Sequence, residues 1–361
     1  MSSRLEAEHL HKVFGRRPEQ AVERLRAGAD REELRAEGAT AAVVDASFTV
    51  RPGQIFVVMG LSGSGKSTLL RMLNGLLEPT AGRVLFDGQD LTALSDRELR
   101  EVRARKISMV FQHFALFPHR SVLDNAAYGL AVQGVPRRER EERAVEALRL
   151  CGLAGWETSW PDELSGGMQQ RVGLARALAT DADLLLMDES FSALDPLIRR
   201  DMQDQLLTLQ QTLKKTIVFI THDLNEAMRL GDRIAVMRDG RIVQTGTAED
   251  ILIRPADDYV ASFIQDVDRS RVLTASAVMD TDVRGDEADC GCRTATPDTP
   301  FTALCALSAR LSHPVAVLDG GRRLVGVVPR QRLVRFLGDE QGGEFACAAP
   351  RDGGEKVTAR A

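Results

Sequence analysis

Gly60-Leu-Ser62-Gly63-Ser64-Gly65-Lys66-Ser67-Thr68 follows the spacing G-x-x-x-x-G-K-[S/T]. Glycines at these positions let the backbone curl until successive N–H groups face one point, where phosphate oxygens can sit. A helix opening at Lys66 adds its positive dipole end to that cradle. Lys66 has the reach for the β- and γ-phosphates, and the Ser67 hydroxyl can join a Mg²⁺ shell. The loop predicts nucleoside triphosphate binding. Alone, it does not separate kinases, GTPases, helicases and motors.

A second group is Asp188-Glu189, which closes the apolar run Leu184-Leu-Leu-Met187. In a parallel sheet, strand C-termini meet at the ligand crevice. Asp188 is expected to bind Mg²⁺, commonly through water. Glu189 is expected to polarise the water that attacks the γ-phosphate, since positioning and charge carry most of phosphoryl transfer. A surface Asp-Glu pair is common, but it fits poorly after so apolar a run.

A third group, Leu164-Ser165-Gly166-Gly167-Met-Gln-Gln-Arg171, is another Ser-Gly-Gly turn opening a helix. It makes a second anion cradle about a hundred residues after the first. One nucleotide in one domain does not need two such cradles.

The elements that must position these groups read as an α/β layered domain. Residues 55–59, 107–111, 184–187, 217–220 and 234–237 are short aliphatic runs, expected as strands of a mainly parallel buried sheet. Helical patterns fall at 66–77, 196–213 and 224–229, and Ser95-Asp-Arg-Glu98 is a capping box. Between 121 and 179 the pattern is helical throughout, which predicts a helical subdomain at about 113–180. Residues 18–38, with Ala21, Val22, Leu25 and Leu34, read as a solvated, weakly amphipathic helical insertion on the surface.

These motifs resemble the ATP-binding cassette (ABC) transporter ATPases, whose signature sequence is Leu-Ser-Gly-Gly-x-Gln. The resemblance covers residues 1 to about 265 and implies a P-loop NTPase fold of the ABC type. It implies that the cradle at Ser165, Gly166 and Gly167 closes over ATP held by another copy of the chain. Gln112 matches the Q-loop glutamine that touches Mg²⁺ and the attacking water. Ser192-Ala-Leu-Asp195 matches the D-loop that crosses the dimer interface, and His222 matches the switch histidine at the γ-phosphate. Phe14 resembles the aromatic that stacks on adenine. Separately each has a bland reading; a lone His after a strand is usually structural. Their order and spacing together are specific.

The stretches Gln112-His-Phe-Ala-Leu-Phe-Pro-His-Arg-Ser-Val-Leu-Asp-Asn125 and Glu189-Ser-Phe-Ser-Ala-Leu-Asp-Pro-Leu-Ile-Arg199 narrow the resemblance. With the insertion, they are similar to ATPases of bacterial glycine betaine/proline importers. That implies ATP and Mg²⁺ as cofactors, integral-membrane permease subunits, a periplasmic or lipid-anchored solute-binding protein, and a peripheral place on the cytoplasmic face of the inner membrane. Motion is expected to pass to the permease through Phe114, Leu116 and Pro118. An importer of another solute, such as an amino acid or polyamine, and a soluble non-transport ABC ATPase are the alternatives. A purely regulatory nucleotide-binding module is opposed by Glu189.

After about Asp268 the composition changes. Residues 281–299 are rich in Asp, Gly, Thr and Pro, and 314–328 read as a hairpin followed by a helix at 331–337. The expected organisation is therefore an ATPase domain at 1–267, a partial CBS-like α+β module at 268–340, and a disordered tail at 341–361.

Composition excludes other classes. The 43% apolar and 27% charged fractions suit a globular chain. A net charge of −5 lacks the basic footprint of a nucleic-acid binder. No run approaches the ~20 apolar residues of a membrane span, and the first residues lack the pattern of a secretory signal. Five scattered cysteines suit a reducing compartment. Cys290 and Cys292 have no second ligand pair beside them, so a metal is not expected there.

Overall fold

The computed structural model describes residues 4–112, 115–265, 267–281, 294–311 and 313–338. The expected tail at 341–361, Cys290, Cys292 and Phe114 lie outside them. The chain divides into two compact units, Met1–Val267 and Asp268–Ala361.

In the first unit a six-stranded sheet has the order β10-β9-β3-β8-β7-β6. Its strands are β3 (Ile55–Met59), β6 (Ile107–Val110), β7 (Leu184–Asp188), β8 (Thr216–Thr221), β9 (Arg233–Arg238) and β10 (Arg241–Gly246). All neighbours are parallel except β10, which returns antiparallel along β9. Every residue of β3 and β8 is buried. That burial on both faces is why these strands read as unbroken apolar runs.

A second, antiparallel sheet was not anticipated from the sequence. Its order is β2-β1-β4-β5, built from β1 (Leu5–Gly15), β2 (Ala39–Val50), β4 (Ala81–Phe86) and β5 (Gln89–Asp90). Leu5, Leu10, Val43, Val50, Val84 and Phe86 from these strands share one core with Phe56, Val58 and Leu69 beside the parallel sheet.

The insertion breaks into two helices, α1 (Pro18–Arg26) and α2 (Arg31–Ala36), separated by Gly28 at φ 100°. It is less solvated than its charge suggested. Ala21, Val22, Leu25 and Leu34 are buried with Val13, Ala39, Ala41 and Val44 as a separate small core.

The helix expected at 66–77 is shorter: α3 (Lys66–Leu73) stops at Asn74-Gly75, with Gly75 at φ 64°. Glycine adopts that left-handed turn at little cost, so it ends the helix while Leu76 and Leu77 still look helical. The capping box expected at Ser95 and Glu98 opens α4 (Asp96–Arg105). The strand expected at 107–111 ends one residue early, leaving Phe111 exposed.

Residues 121–179 contain no strand among those described. They form α5 (Val122–Ala126), α6 (Tyr128–Val132), α7 (Arg137–Leu150) and α8 (Gly166–Ala179). Next come α9 (Pro196–Leu213), α10 (Leu224–Leu230), α11 (Ala248–Ile253) and α12 (Asp258–Phe263).

The second unit holds α13 (Ala275–Val278), α14 (Phe301–Ser308), the antiparallel pair β11 (Val315–Leu318) and β12 (Leu324–Val328), and α15 (Arg330–Gly338). The hairpin and its following helix lie where the sequence suggested; α14 was not anticipated. Val278, Phe301, Leu304, Val315, Val317 and Val328 are buried within this unit. Nothing identifies this α+β arrangement as a CBS module.

Candidate functional site

The glycine-rich loop leaves the C-terminal end of β3, and its curl depends on Gly60 and Gly65. A Cβ on Gly60, at φ 154°, would meet the Met237 carbonyl oxygen at 2.1 Å. One on Gly65, at φ 102°, would meet the Ala42 carbonyl oxygen at 2.3 Å. Both contacts are with backbone, so neither glycine can be replaced without moving a strand. Gly63 is also left-handed, at φ 78°, but opens to free space, and Ser62 beside it is exposed. Ser64 is buried, and its hydroxyl has no partner. Thr68 is half-buried in the first turn of α3.

Lys66 is only 4% exposed, and its ammonium turns back into the loop. Its Nζ donates to the carbonyls of Gly60 at 2.8 Å and Leu61 at 3.0 Å. Burial lowers its pKa, and the carboxylates of Glu189 and Asp188 oppose that shift. A desolvated cation beside the glycine-rich loop is an arrangement that a polyanion would neutralise.

Asp188 and Glu189 stand at the end of β7, between β6 and β8. The Ser67 hydroxyl donates to Asp188 Oδ1 at 3.0 Å. Burial pushes the Asp188 carboxyl up; the Ser67 hydrogen bond works against this and the nearby Glu189 charge adds to it. Two hard oxygen donors thus meet beside the glycine loop. Among the described residues no group of three His, Cys, Asp or Glu could hold a metal. A hydroxyl and a carboxylate so placed fit an ion that takes few protein ligands and keeps waters and phosphate oxygens, which is the habit of Mg²⁺.

Glu189 is the junction of the site. Its φ is +43°, a left-handed value rarely taken by a non-glycine residue. Its N–H donates to the Ile220 carbonyl of β8 at 3.0 Å, which holds the turn. Oε1 lies 4.0 Å from Lys66 Nζ, and Oε2 lies 2.9 Å from Nδ1 of His222. The Glu189 carbonyl accepts from both the N–H and the hydroxyl of Ser192, at 3.1 and 2.8 Å. Gln112, just beyond β6, sends Nε2 to within 3.4 Å of the same Ser192 hydroxyl. Gln112 thus faces the segment after Glu189, not the Ser67–Asp188 pair.

Asp195 caps α9, accepting from the N–H groups of Leu197 and Ile198, each at 3.1 Å. Such a cap is worth about 1 kcal/mol. The turn between Glu189 and Asp195 is further held by Arg199, which the sequence reading passed over. Its guanidinium donates to the carbonyls of Phe191, Ser192 and Leu194 and to Asp223 Oδ2 at 3.0 Å. The only sequence signal was an arginine one turn into a capped helix.

Ser165 caps α8, accepting from the Met168 N–H at 3.3 Å. Gly166 and Gly167 form its first turn, and a Cβ on Gly167 would lie 2.6 Å from Ile198 Cγ2. The second cradle is thus packed beside the capped end of α9. No hydrogen bond or ion pair among the described residues joins it to residues 60–68. Phe14, near the end of β1, is 44% exposed, and its ring lies 5.4 Å from Lys12 Nζ.

Residues 43–192 match the family model described as "ABC transporter". The chain is 53% identical to the glycine betaine/carnitine transport ATP-binding protein of Listeria monocytogenes, over 93% of this chain and 83% of that one. It is 59% identical to the glycine betaine transport ATP-binding protein of Bacillus subtilis, over 76% of this chain and 66% of that protein's length. Among solved structures, the dimeric bacterial ABC transporter cassette MJ0796 superposes with a TM-score of 0.58. It is 31% identical, and the match covers 68% of this chain and 98% of that one.

Proposed function

The chain belongs to the ATPase subunits of ABC transporters, and from that membership we propose that it powers uptake of glycine betaine-type quaternary amines. The single observation carrying the cargo is the 53% identity to the Listeria glycine betaine/carnitine protein over 93% of this chain. The observation carrying the chemistry is the convergence of Lys66, His222 and Ser192 on Glu189.

In this reading the N–H groups of residues 60–67 and the helix α3 dipole hold the triphosphate, with Phe14 against the base. Lys66 exchanges the carbonyls of Gly60 and Leu61 for the β- and γ-phosphates. Ser67 and Asp188 would hold Mg²⁺, which would supply charge neutralisation across the phosphates, and Gln112 would have to turn from Ser192 to join them. Glu189 takes the proton of the attacking water, and His222 orients its carboxylate from the other side. Ser165, Gly166 and Gly167 of a second copy close over the nucleotide. MJ0796 is named as a dimer in its solved structure, and a second structure of it holds ADP and phosphate.

No helix among the described residues is long and apolar enough to cross a membrane. In this reading permease subunits provide the path, with this chain on their cytoplasmic face and a solute-binding protein delivering cargo outside. Leu116 and Pro118 lie in the stretch that Asn125 braces. Asn125 is fully buried and donates to the carbonyls of Phe117, Arg120 and Ser121 while accepting from the Phe117 N–H. A loop so braced can transmit force to a permease.

The test is ATP-dependent uptake of labelled glycine betaine by this chain reconstituted with the permease encoded beside it. Absence of that uptake while ATP is still hydrolysed, or a neighbouring permease with another cargo, overturns the cargo and leaves the ATPase reading standing.

A further inference from the structure

Among the described residues, one side-chain ion pair reaches from the insertion to the β9–β10 turn. Arg31, the first residue of α2, places Nη1 3.2 Å from Asp239 Oδ1. Asp239 and Gly240 form the two-residue turn between β9 and β10, with φ of 49° and 79°. Two left-handed residues are what a tight hairpin of this kind requires. The Asp239 carboxylate also lies 3.3 Å from Arg238 Nε.

This turn rests on the glycine-rich loop. The Gly240 N–H donates to the Ser64 carbonyl at 3.0 Å, and the Gly240 carbonyl accepts from the Val44 N–H at 2.8 Å. A Cβ on Gly240 would lie 2.8 Å from the Ala42 oxygen, the same oxygen that crowds Gly65. On its other side, Arg238 lies over the Tyr259 ring at 4.5 Å. Ser64 and Gly65 are therefore held from outside by the turn and β2. The insertion grips that turn through one side chain, and its grip is rigid because Leu34, one residue short of a turn from Arg31, is 1% exposed.

We propose that Arg31 is a positioning residue for nucleotide binding: acting through Asp239 and the Gly240 turn, the insertion holds residues 61–65 in the curl that the phosphates require. This rests on the reading of that loop as the triphosphate site. Arg31 touches none of Lys66, Ser67, Asp188, Glu189 or His222, so it should govern affinity and leave the chemical step alone. The pair is exposed enough, with Asp239 at 71%, that its loss should barely change fold stability.

The test uses the full chain, with equilibrium binding of a non-hydrolysable ATP analogue and steady-state ATPase assays. Arg31→Ala and Asp239→Asn, which keeps a residue suited to the left-handed turn, should each weaken nucleotide binding about threefold to tenfold and raise KM equally. In both, kcat should stay within about twofold and Tm nearly unchanged. The double variant should be no worse than the more affected single variant, and Arg31→Lys should keep most of the affinity. Unchanged affinity in the singles, additive losses in the double, or a drop confined to kcat overturns the proposal. If the unaltered chain fails to bind the analogue, the triphosphate reading itself fails, and the variants are not needed to see it.

Discussion

Nδ1 of His222 lies 2.9 Å from Oε2 of Glu189, although the residues are 33 positions apart and end different strands. The contact exists because β7 and β8 pair in parallel with Asp188 opposite Ile220, which brings both C-terminal ends to one edge. Glu189 is thereby held between an imidazole and the Lys66 ammonium, close to both and free to meet water.

Glu189→Gln removes the proton acceptor and keeps the shape. ATP hydrolysis should fall about 10²–10⁴-fold, the range for losing a general base, while ATP binding persists. With ATP and Mg²⁺ the variant should elute as a dimer on size exclusion. A variant that stays monomeric under these conditions sinks the two-copy sandwich.

Asp188→Asn separates metal binding from stability. Burial raises the Asp188 pKa, so in the window between the ordinary carboxylate value and the raised one the folded state holds more protons than the unfolded state. Stability from this group then falls as pH rises through that window, and the penalty persists above it. Without nucleotide or Mg²⁺, the variant should melt no lower than the unaltered chain at neutral pH, and its advantage should vanish in acid. Mg²⁺-dependent ATPase activity should be lost. Nucleotide-free melting curves from acid to neutral pH check the sign; a variant less stable at neutral pH contradicts it.

Gly65→Ala forces a Cβ to within 2.3 Å of the Ala42 oxygen at φ 102°. Strain of this kind costs about 1–3 kcal/mol. If it falls on the loop's curl, ATP affinity drops about 10- to 100-fold. Gly63→Ala, where the space is open, should do less. Equal losses at both positions would falsify the assignment of the curl to the Ala42 contact.

Arg199→Ala frees three carbonyls and Asp223 at once. Unfolding free energy should fall by about 2–3 kcal/mol, since hydrogen bonds from a charged donor are being lost. ATPase activity should fall as well, because Ser192 no longer holds the Glu189 carbonyl in place. Arg199→Lys should recover little, as an ammonium cannot reproduce the guanidinium fork. Denaturant melts and kcat for both variants decide this.

Much of the site was legible because its determinants are local. Asp195 before Pro196 marks the start of α9, and the helix runs over the expected residues, Pro196–Leu213. Strand β3 also has its expected bounds, since burial on both faces leaves an unbroken apolar run. The antiparallel sheet was less legible. β1 and β2 pair with register shifts, and His9 and Asp45 in them carry φ of 49° and 54°, which breaks the alternation a strand normally shows.

The sequence by itself determined that a glycine-rich loop, a carboxylate pair and a second Ser-Gly-Gly turn exist on one chain, because each is written in a few adjacent residues whose backbone needs are local. Only the tertiary structure decided how they act together. Parallel pairing of β6, β7, β8 and β3 gathers Gln112, Glu189, His222 and Lys66 at one sheet edge, and no residue spacing states which strands will be neighbours. The insertion makes the same point: its charges suggested a solvated surface, while four apolar side chains gave it a core. That core fixes Arg31 over the turn beneath the phosphate loop, a contact spanning 208 positions that depends on the packing of two sheets.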